Sequence, residues 1–390
     1  MALFFGEKKD LVLVIDVGSA SVGAALVLLK KGALPYVIRS TRTPVQFQPH
    51  LRFDRFLRLT LKALENSIQG VLKGASGRPA KAYCFLSAPW YSSEVRAIHH
   101  SLKGKEFVFD QKLMNSIVEG ELERFAAEEL ERYRRLKGHA YLIENKVIDV
   151  RLNGYPTANP LGKKAKEVEL SLMLGLAPHQ TITDIIEAIR RPLPGLPITF
   201  HSFLLPFFAV LRDLFHDTQD ALLIDIGGEV TEVSLMREGV LTGTVSFPLG
   251  KNFVLRRGSA VLKKDAEETR SLLKLLFEGR LENAVRKEIE AGLLEVRKEW
   301  LLAFNECLDE LNTLLVPDSV FLFADGEIVK WFIDAIEKEE YGQYALSAGK
   351  FAVTTIGGSL LHRHLSFDAT IERDRFIALE SIYLASNASV

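Results

Sequence analysis

At 390 residues, with 47% apolar and 25% charged side chains, the chain has the composition of an ordinary soluble globular protein and the length for two domains. A formal net charge of -1 gives no basic face for nucleic acid, and no run approaches the roughly 20 apolar residues that cross a bilayer. Cys84 and Cys307 form no CxxC pair or metal-ligand spacing, and read as buried free thiols in a reducing compartment.

The first ten residues place Leu3, Phe4 and Phe5 ahead of Lys8 and Lys9, the reverse of a signal peptide, so the chain is expected to be cytoplasmic. Leu11 to Ile15 is a continuous apolar run of the kind a buried strand shows. Asp16-Val-Gly18-Ser19-Ala20-Ser21 breaks it, and strands are expected at Val22 to Leu29 and Tyr36 to Ile38. Apolar positions at helical spacing over 52–72 predict a helix, and Ala82 to Leu86 another buried strand.

Between 92 and 176 the pattern changes to a charged helix over 111–137 and two alternating segments, Lys146 to Leu152 and Glu167 to Leu176. Acids early and bases late suit the helix dipole, and its charges are expected to form a solvated face. Pro192, Pro194, Gly195 and Pro197 mark a joint. A strand and helix follow over 198–214, an apolar strand at Ala221 to Ile224, helices across 265–315, and a strand at Val320 to Phe323. Phe376, Leu379 and Tyr383 sit at i, i+3 and i+7 in a short helical pattern near the end, interrupted by Glu372 and Glu380, which reads as a helix packed on its own domain or a partner-binding tail rather than a membrane anchor. Neither His99-His100 nor His362 with His364 has the company of a metal site.

One element occurs twice. Leu11 to Gly18 and Ala221 to Gly228 are both apolar strands ending in Asp-x-Gly and followed by a hairpin, about 210 residues apart. Such a turn sets a carboxylate beside exposed backbone N–H groups, which form a nest for phosphate oxygens, while the acid can hold a hydrated Mg²⁺.

Asp16-Val-Gly-Ser-Ala-Ser-Val resembles the first phosphate loop of the actin, sugar-kinase and heat-shock chaperone superfamily, and Asp225-Ile-Gly-Gly-Glu-Val-Thr231-Glu232 its second. Within it the chain is most similar to FtsA of bacterial division and PilM of type IV pilus assembly. Three further segments carry that likeness: Gly239 to Gly250, Ala266-Glu267-Glu-Thr-Arg270, and Asn153-Gly-Tyr155 to Asn159-Pro-Leu-Gly162. The resemblance implies an actin-like (ribonuclease H-like) α/β fold, two related domains around a nucleotide cleft, with an α+β insert of the FtsA type in the first. The first domain would comprise 10–91 and 177–217, the interaction insert 92–176, and the second domain 218–366 with a helical subdomain at 255–318, leaving 367–390 as a C-terminal tail.

By the same resemblance the ligands would be ATP and Mg, with Asp16 and Asp225 holding the metal through water. Gly18, Ser19, Ala20, Gly227 and Gly228 would supply phosphate-facing backbone, Glu267 and Arg270 nucleoside contacts, and Gly326 the adenine-side wall. The chain departs from the pattern at Gly23, where relatives carry a lysine, and at Glu229 and Glu232, where they carry Gly and Asp. It also has Leu205-Pro206 in place of a water-orienting Glu-Pro, and Ala324-Asp325-Gly326 in place of a glycine run. Leucine cannot orient water, so weak or no hydrolysis is expected. The implied role is an FtsA-like scaffold at the inner face of the membrane, with ATP as conformational and assembly ligand, self-polymerisation, and a peripheral membrane contact. A PilM-like adaptor of pilus or secretion assembly is the alternative, and a pseudo-ATPase interaction module another. A sugar or small-molecule kinase would need a catalytic base beside an acceptor pocket, and no motif supplies one.

Overall fold

The computed structural model describes residues 10–75, 77–136 (backbone only over 129–136), 140–311, 316–324, 326, 328–341 and 349–387. Leu3 to Lys9, and Asp325 of the adenine-side loop, lie outside them.

The first strand, β1 (Asp10–Val17), is buried from Val12 onward, which is why its sequence reads as one apolar run. It turns into β2 (Ser21–Leu29) and β3 (Tyr36–Pro44), both antiparallel to their predecessors. Helix α1 (Phe53–Leu72) carries the chain back to β4 (Lys81–Leu86), parallel to β1. The inserted layer then comprises β5 (Ser92–Ser101), β6 (Phe107–Phe109), α2 (Gln111–Leu136), β7 (Ala140–Leu152), β8 (Tyr155–Pro156), β9 (Lys163–Ala165) and β10 (Glu167–Pro178). Helix α3 (His179–Arg190), β11 (Ile198–Ser202) and α4 (Leu204–Leu214) return to the first sheet, where β11 lies parallel to β4.

The second half repeats this plan. An antiparallel meander, β12 (Ala221–Ile226), β13 (Thr231–Arg237) and β14 (Val240–Phe247), leads into α5 (Lys251–Leu262), α6 (Ala266–Phe277) and α7 (Asn283–Glu310). Then β15 (Ser319–Ala324) lies parallel to β12, α8 (Val329–Glu337) follows, and β16 (Ala352–Thr355) lies parallel to β15. Spatial orders β3-β2-β1-β4-β11 and β14-β13-β12-β15-β16 are therefore one topology used twice. Short α9 (Gly358–Leu361), β17 (Ser366–Phe367) and α10 (Arg375–Asn387) end the chain.

In the insert, β10 pairs along its length with β5 and β7, and α2 covers one face through Ile117 and Phe125 against Leu170, Leu172 and Leu174. Glu119 and Glu123 face solvent as expected, whereas Glu121 is buried and takes Arg96 Nη1 at 2.8 Å. The insert also reaches the second half, where Arg151 pairs with Glu238 at 2.7 Å, and just before it the Tyr91 hydroxyl donates to Glu232 at 2.8 Å.

Residues 367–387, set apart as a C-terminal segment whose helix could pack on its own domain or serve as a partner-binding tail, complete the first half. Strand β17 adds to the sheet edge beside β3. Every residue from Ile377 to Leu384 is buried, so α10 is enclosed rather than presenting one apolar face. Cys84 and Cys307 are both buried free thiols.

Candidate functional site

The two Asp-x-Gly turns have the same local geometry. Gly18 donates its N–H to Ser21 O at 3.1 Å, and Gly227 donates to Val230 O at 2.9 Å, the same i to i+3 closure in each half. Both turns sit at the carboxyl end of the central strand of their sheets, where α/β folds bind ligands.

The loops meet each other. Ser19 Oγ accepts the N–H of Gly228 at 2.8 Å and of Glu229 at 3.1 Å. A Cβ on Gly228 would lie 2.7 Å from the Ser19 carbonyl, so glycine is needed there for close approach. The second loop is held from behind by α5, with Lys251 N–H on Gly227 O at 3.0 Å and Asn252 N–H on Gly228 O at 2.8 Å. Gly18 and Ser19 on the first turn and Gly227 and Gly228 on the second thus belong to two loops in direct contact. The amides of Gly18, Gly227 and Gly228 already have acceptors within the chain.

Asp16 is fully buried at the end of β1, and Arg42 Nη2 lies 2.8 Å from its carboxylate. Arg42 stands on β3 opposite Gly23, and a Cβ at 23 would come within 2.5 Å of the guanidinium. The same guanidinium binds Asp374 through Nε at 2.7 Å and Nη2 at 3.0 Å, and Ser21 Oγ at 2.9 Å. Burial alone would lower its pKa, but Asp374 and Asp16 outweigh this and hold it above the ordinary arginine value.

Asp225 is the cross-strand partner of Glu232. Burial, then Glu232 and Asp16, push the Asp225 carboxyl well above the usual range, while Lys251 opposes them. Glu232 is pushed up to about 7 by burial, against hydrogen bonds from Tyr91 and Ser93. Glu229 turns toward α5, where it binds Asn252 Nδ2 at 2.8 Å and pairs with Arg256. Leu205 is buried in the first core.

Beside the joined loops lies a cavity of about 760 Å³. It is lined by Ala20, Glu267, Arg270 and Gly326, four residues expected at the site from three distant segments. Phe47, Leu255, Leu273 and Ile328 give it apolar walls, and Arg42 and Lys251 contribute cations. Glu267 and Arg270 pair with each other at 2.9 Å on α6, and Gly326 has φ +94°, a conformation suited to glycine.

The apolar walls near Glu267 and Arg270 suit a planar, partly apolar ligand. At the joined loops two backbone donors are taken by the Ser19 hydroxyl. Mg²⁺ held through Asp16 and Asp225 fits less well, because the Arg42 guanidinium already lies against the Asp16 carboxylate. Among the described residues no group of three or more His, Cys, Asp or Glu side chains is placed to hold a metal ion.

Arg42, Lys251 and the Ser19 hydroxyl are site features that sequence reasoning missed. Two signals were present. Gly23 interrupts an apolar strand, and Lys251 follows Pro248-Leu-Gly250 at the first position of a helix, where a positive charge is disfavoured without an acidic neighbour.

No family model and no curated protein matches the chain. Among solved structures, a PilM–PilN type IV pilus biogenesis complex matches with TM-score 0.59 and 16% identity, covering 98% of this chain and 100% of that one. The ethanolamine utilization protein EutJ from Carboxydothermus hydrogenoformans matches at TM-score 0.43 and 13% identity, over 96% of this chain and 90% of its own. A Bacteroides thetaiotaomicron protein described as having an actin-like ATPase fold matches at TM-score 0.38 and 9% identity, over 98% of both chains. The chain has the actin-like ATPase fold.

Proposed function

We propose that this chain is an actin-fold scaffold whose cleft takes an adenine nucleotide as a conformational ligand, with weak or no hydrolysis. The observation that carries this reading is the end-to-end correspondence with the PilM–PilN structure, insert included, combined with a cleft lined by Glu267, Arg270 and Gly326. Leu205 supports the absence of vigorous hydrolysis, since no carboxylate or amide stands at its position to orient water. Phosphates would enter by replacing Ser19 Oγ at the Gly228 and Glu229 amides, so binding would part the two loops and shift one half against the other.

The partner reading we favour is a PilM-like adaptor of pilus or secretion assembly, cytoplasmic and working at the inner face of the membrane. The burial of α10 supports it over an FtsA-like division scaffold, because the helix that could anchor such a scaffold is already enclosed. A division role, with self-polymerisation and direct membrane contact, rests on the Asn159-Pro-Leu-Gly162 stretch, where Leu161 is exposed for contact. A sugar kinase is disfavoured: among the described residues the one carboxylate on the cavity wall, Glu267, is paired with Arg270.

Two measurements test this. Calorimetric titration with ATP should give saturable binding with negligible phosphate release. Affinity purification from cells, with and without ATP, should recover pilus or secretion membrane proteins. Recovery of division proteins alone would reverse the choice of partner, and rapid turnover would sink the scaffold reading.

A further inference from the structure

We infer that the cleft binds its anionic ligand without a divalent cation, Arg42 and Lys251 supplying the positive charge that a hydrated metal would bring to Asp16 and Asp225. This rests on the nucleotide reading proposed above.

Gly23 leaves room for a cation beside the first loop. The β2–β3 register sets Arg42 directly across from it, and only the missing side chain lets the guanidinium lie over the strand. A cation absent from position 23 thus arrives from the neighbouring strand, beside the first loop and on the cavity wall.

Arg42 is not free to swing aside. Asp16, Asp374 and Ser21 hold its three nitrogens at 2.7 to 3.0 Å, and its guanidinium carbon lies 4.5 Å from the centre of the Phe376 ring. Asp374 is itself fixed, because it accepts the backbone N–H groups of Phe376 and Ile377 at the start of α10. An arginine keeps its charge at any physiological pH, and its planar fork suits both carboxylate and phosphate. A divalent ion bound through Asp16 would have to sit against this fixed guanidinium or displace it from the carboxylate.

The second loop also has a cation beside it. Lys251 begins α5 behind the second loop, lines the cavity, and is close enough to Asp225 to favour its ionised form. Arg42 is thus paired with the first aspartate at 2.8 Å, and Lys251 adds a second positive charge on the cavity wall beside the other loop. The charge balance that relatives take from Mg²⁺ is built into the chain.

The test is calorimetric titration of ATP into the full chain in magnesium and in EDTA, with Lys251→Ala and Arg42→Ala as variants. The wild type should bind equally well in both buffers, and Lys251→Ala should weaken binding in EDTA by about tenfold, the worth of one charged hydrogen bond. Arg42→Ala should lose binding in EDTA and regain part of it in magnesium, since Asp16 is then open to a metal. Should Arg42→Ala fail to fold, the wild-type comparison and the half-buried Lys251 still decide the matter. Wild-type binding abolished by EDTA and restored by magnesium would overturn the inference and leave the nucleotide reading standing. A folded wild type that binds ATP in neither buffer would overturn the nucleotide reading and this inference together.

Discussion

The Ser19 hydroxyl lies 2.8 Å from the amide nitrogen of Gly228, 209 residues further along the chain, and joins the two halves of the molecule at their deepest point. The same oxygen takes the Glu229 amide, so one small side chain satisfies two backbone donors in a buried place. Ser19→Ala should strand both. An unsatisfied buried donor costs about 1–3 kcal/mol, so the variant should melt several degrees below wild type. Saturating ATP should close most of that gap, because phosphate oxygens can accept from the same amides. An unchanged melting temperature would show that the bond contributes nothing in solution.

Gly250 is a glycine for reasons of space alone. Its φ of -92° is open to any residue, yet a Cβ would lie 2.6 Å from the carbonyl oxygens of both Gly227 and Gly228. Backbone cannot yield as a flexible side chain can, so Gly250→Ala should cost at least the 1–3 kcal/mol of an overpacked core, about what chemical denaturation resolves. Gly357 is the control. It also has an extended backbone, with φ -103°, but nothing lies within 4 Å of its missing Cβ, so Gly357→Ala should leave the midpoint unchanged.

Glu229 replaces a small residue of the related loops, and its charge is answered from α5. Its side chain is 5% exposed, paired with Arg256 and bonded by Asn252. Arg256→Ala leaves a buried carboxylate short of its counter-ion and should cost about 3–5 kcal/mol. The double variant Arg256→Ala with Glu229→Gln should recover most of this, which a double-mutant cycle measures directly. Equal losses in the single and double variants would mean that Arg256 acts through packing.

Much of this arrangement was legible in the sequence. The duplicated apolar strand with its Asp-x-Gly turn announced two related halves, because a strand buried on both faces has no polar alternation to obscure it. Glu267, Arg270 and Gly326 were likewise placed, through motif likeness, on what proved to be one cavity wall. Arg42 was not, because a charged residue on an alternating strand ordinarily faces solvent, and only the register with Gly23 turns it inward. Ser19 was read as backbone alone, since nothing local announces that a side chain will bond across a 209-residue separation. The end of the chain was legible in part, as a helix that could pack on its own domain, but not how fully it is enclosed. Phe376, Leu379 and Tyr383 mark one stripe of α10, whereas polar Glu380 and Ser381 are buried too, against expectation for those residue types.

Removal of residues 373–390 should therefore unfold the first half rather than detach an anchor. Ile377, Leu379 and Leu384 are each at most 5% exposed, and a buried aliphatic side chain contributes about 1.5–3 kcal/mol. The truncation also takes Asp374 from Arg42, and Arg375 from the Ala324 carbonyl it meets at 2.7 Å. Circular dichroism should show lost cooperativity, with exposed apolar surface binding a hydrophobic dye. A truncated chain that melts like wild type would make the segment a dispensable tail after all.

Stability should fall as pH rises through the range set by Glu232. Its carboxyl titrates near 7 in the folded chain against 4.5 as its ordinary value, so between these the folded state holds a proton that the unfolded state has released. The stabilisation is complete below pH 4.5 and is lost progressively up to pH 7, a difference of about 3 kcal/mol at one pH unit per 1.36 kcal/mol. The groups facing Glu232 are the Tyr91 and Ser93 hydroxyls, which donate to it, and Asp225 across the strand pair, with the Cys307 thiol near enough to feel its charge. Asp225 is raised by the same burial and acts in the same direction, so wild type alone would not separate the two. Glu232→Gln does, since glutamine can still accept from Tyr91 but carries no charge to bury. The variant should match wild type at pH 5, exceed it at pH 8, and show the shallower slope between. Parallel melting curves for the two proteins across that range would place the titration elsewhere.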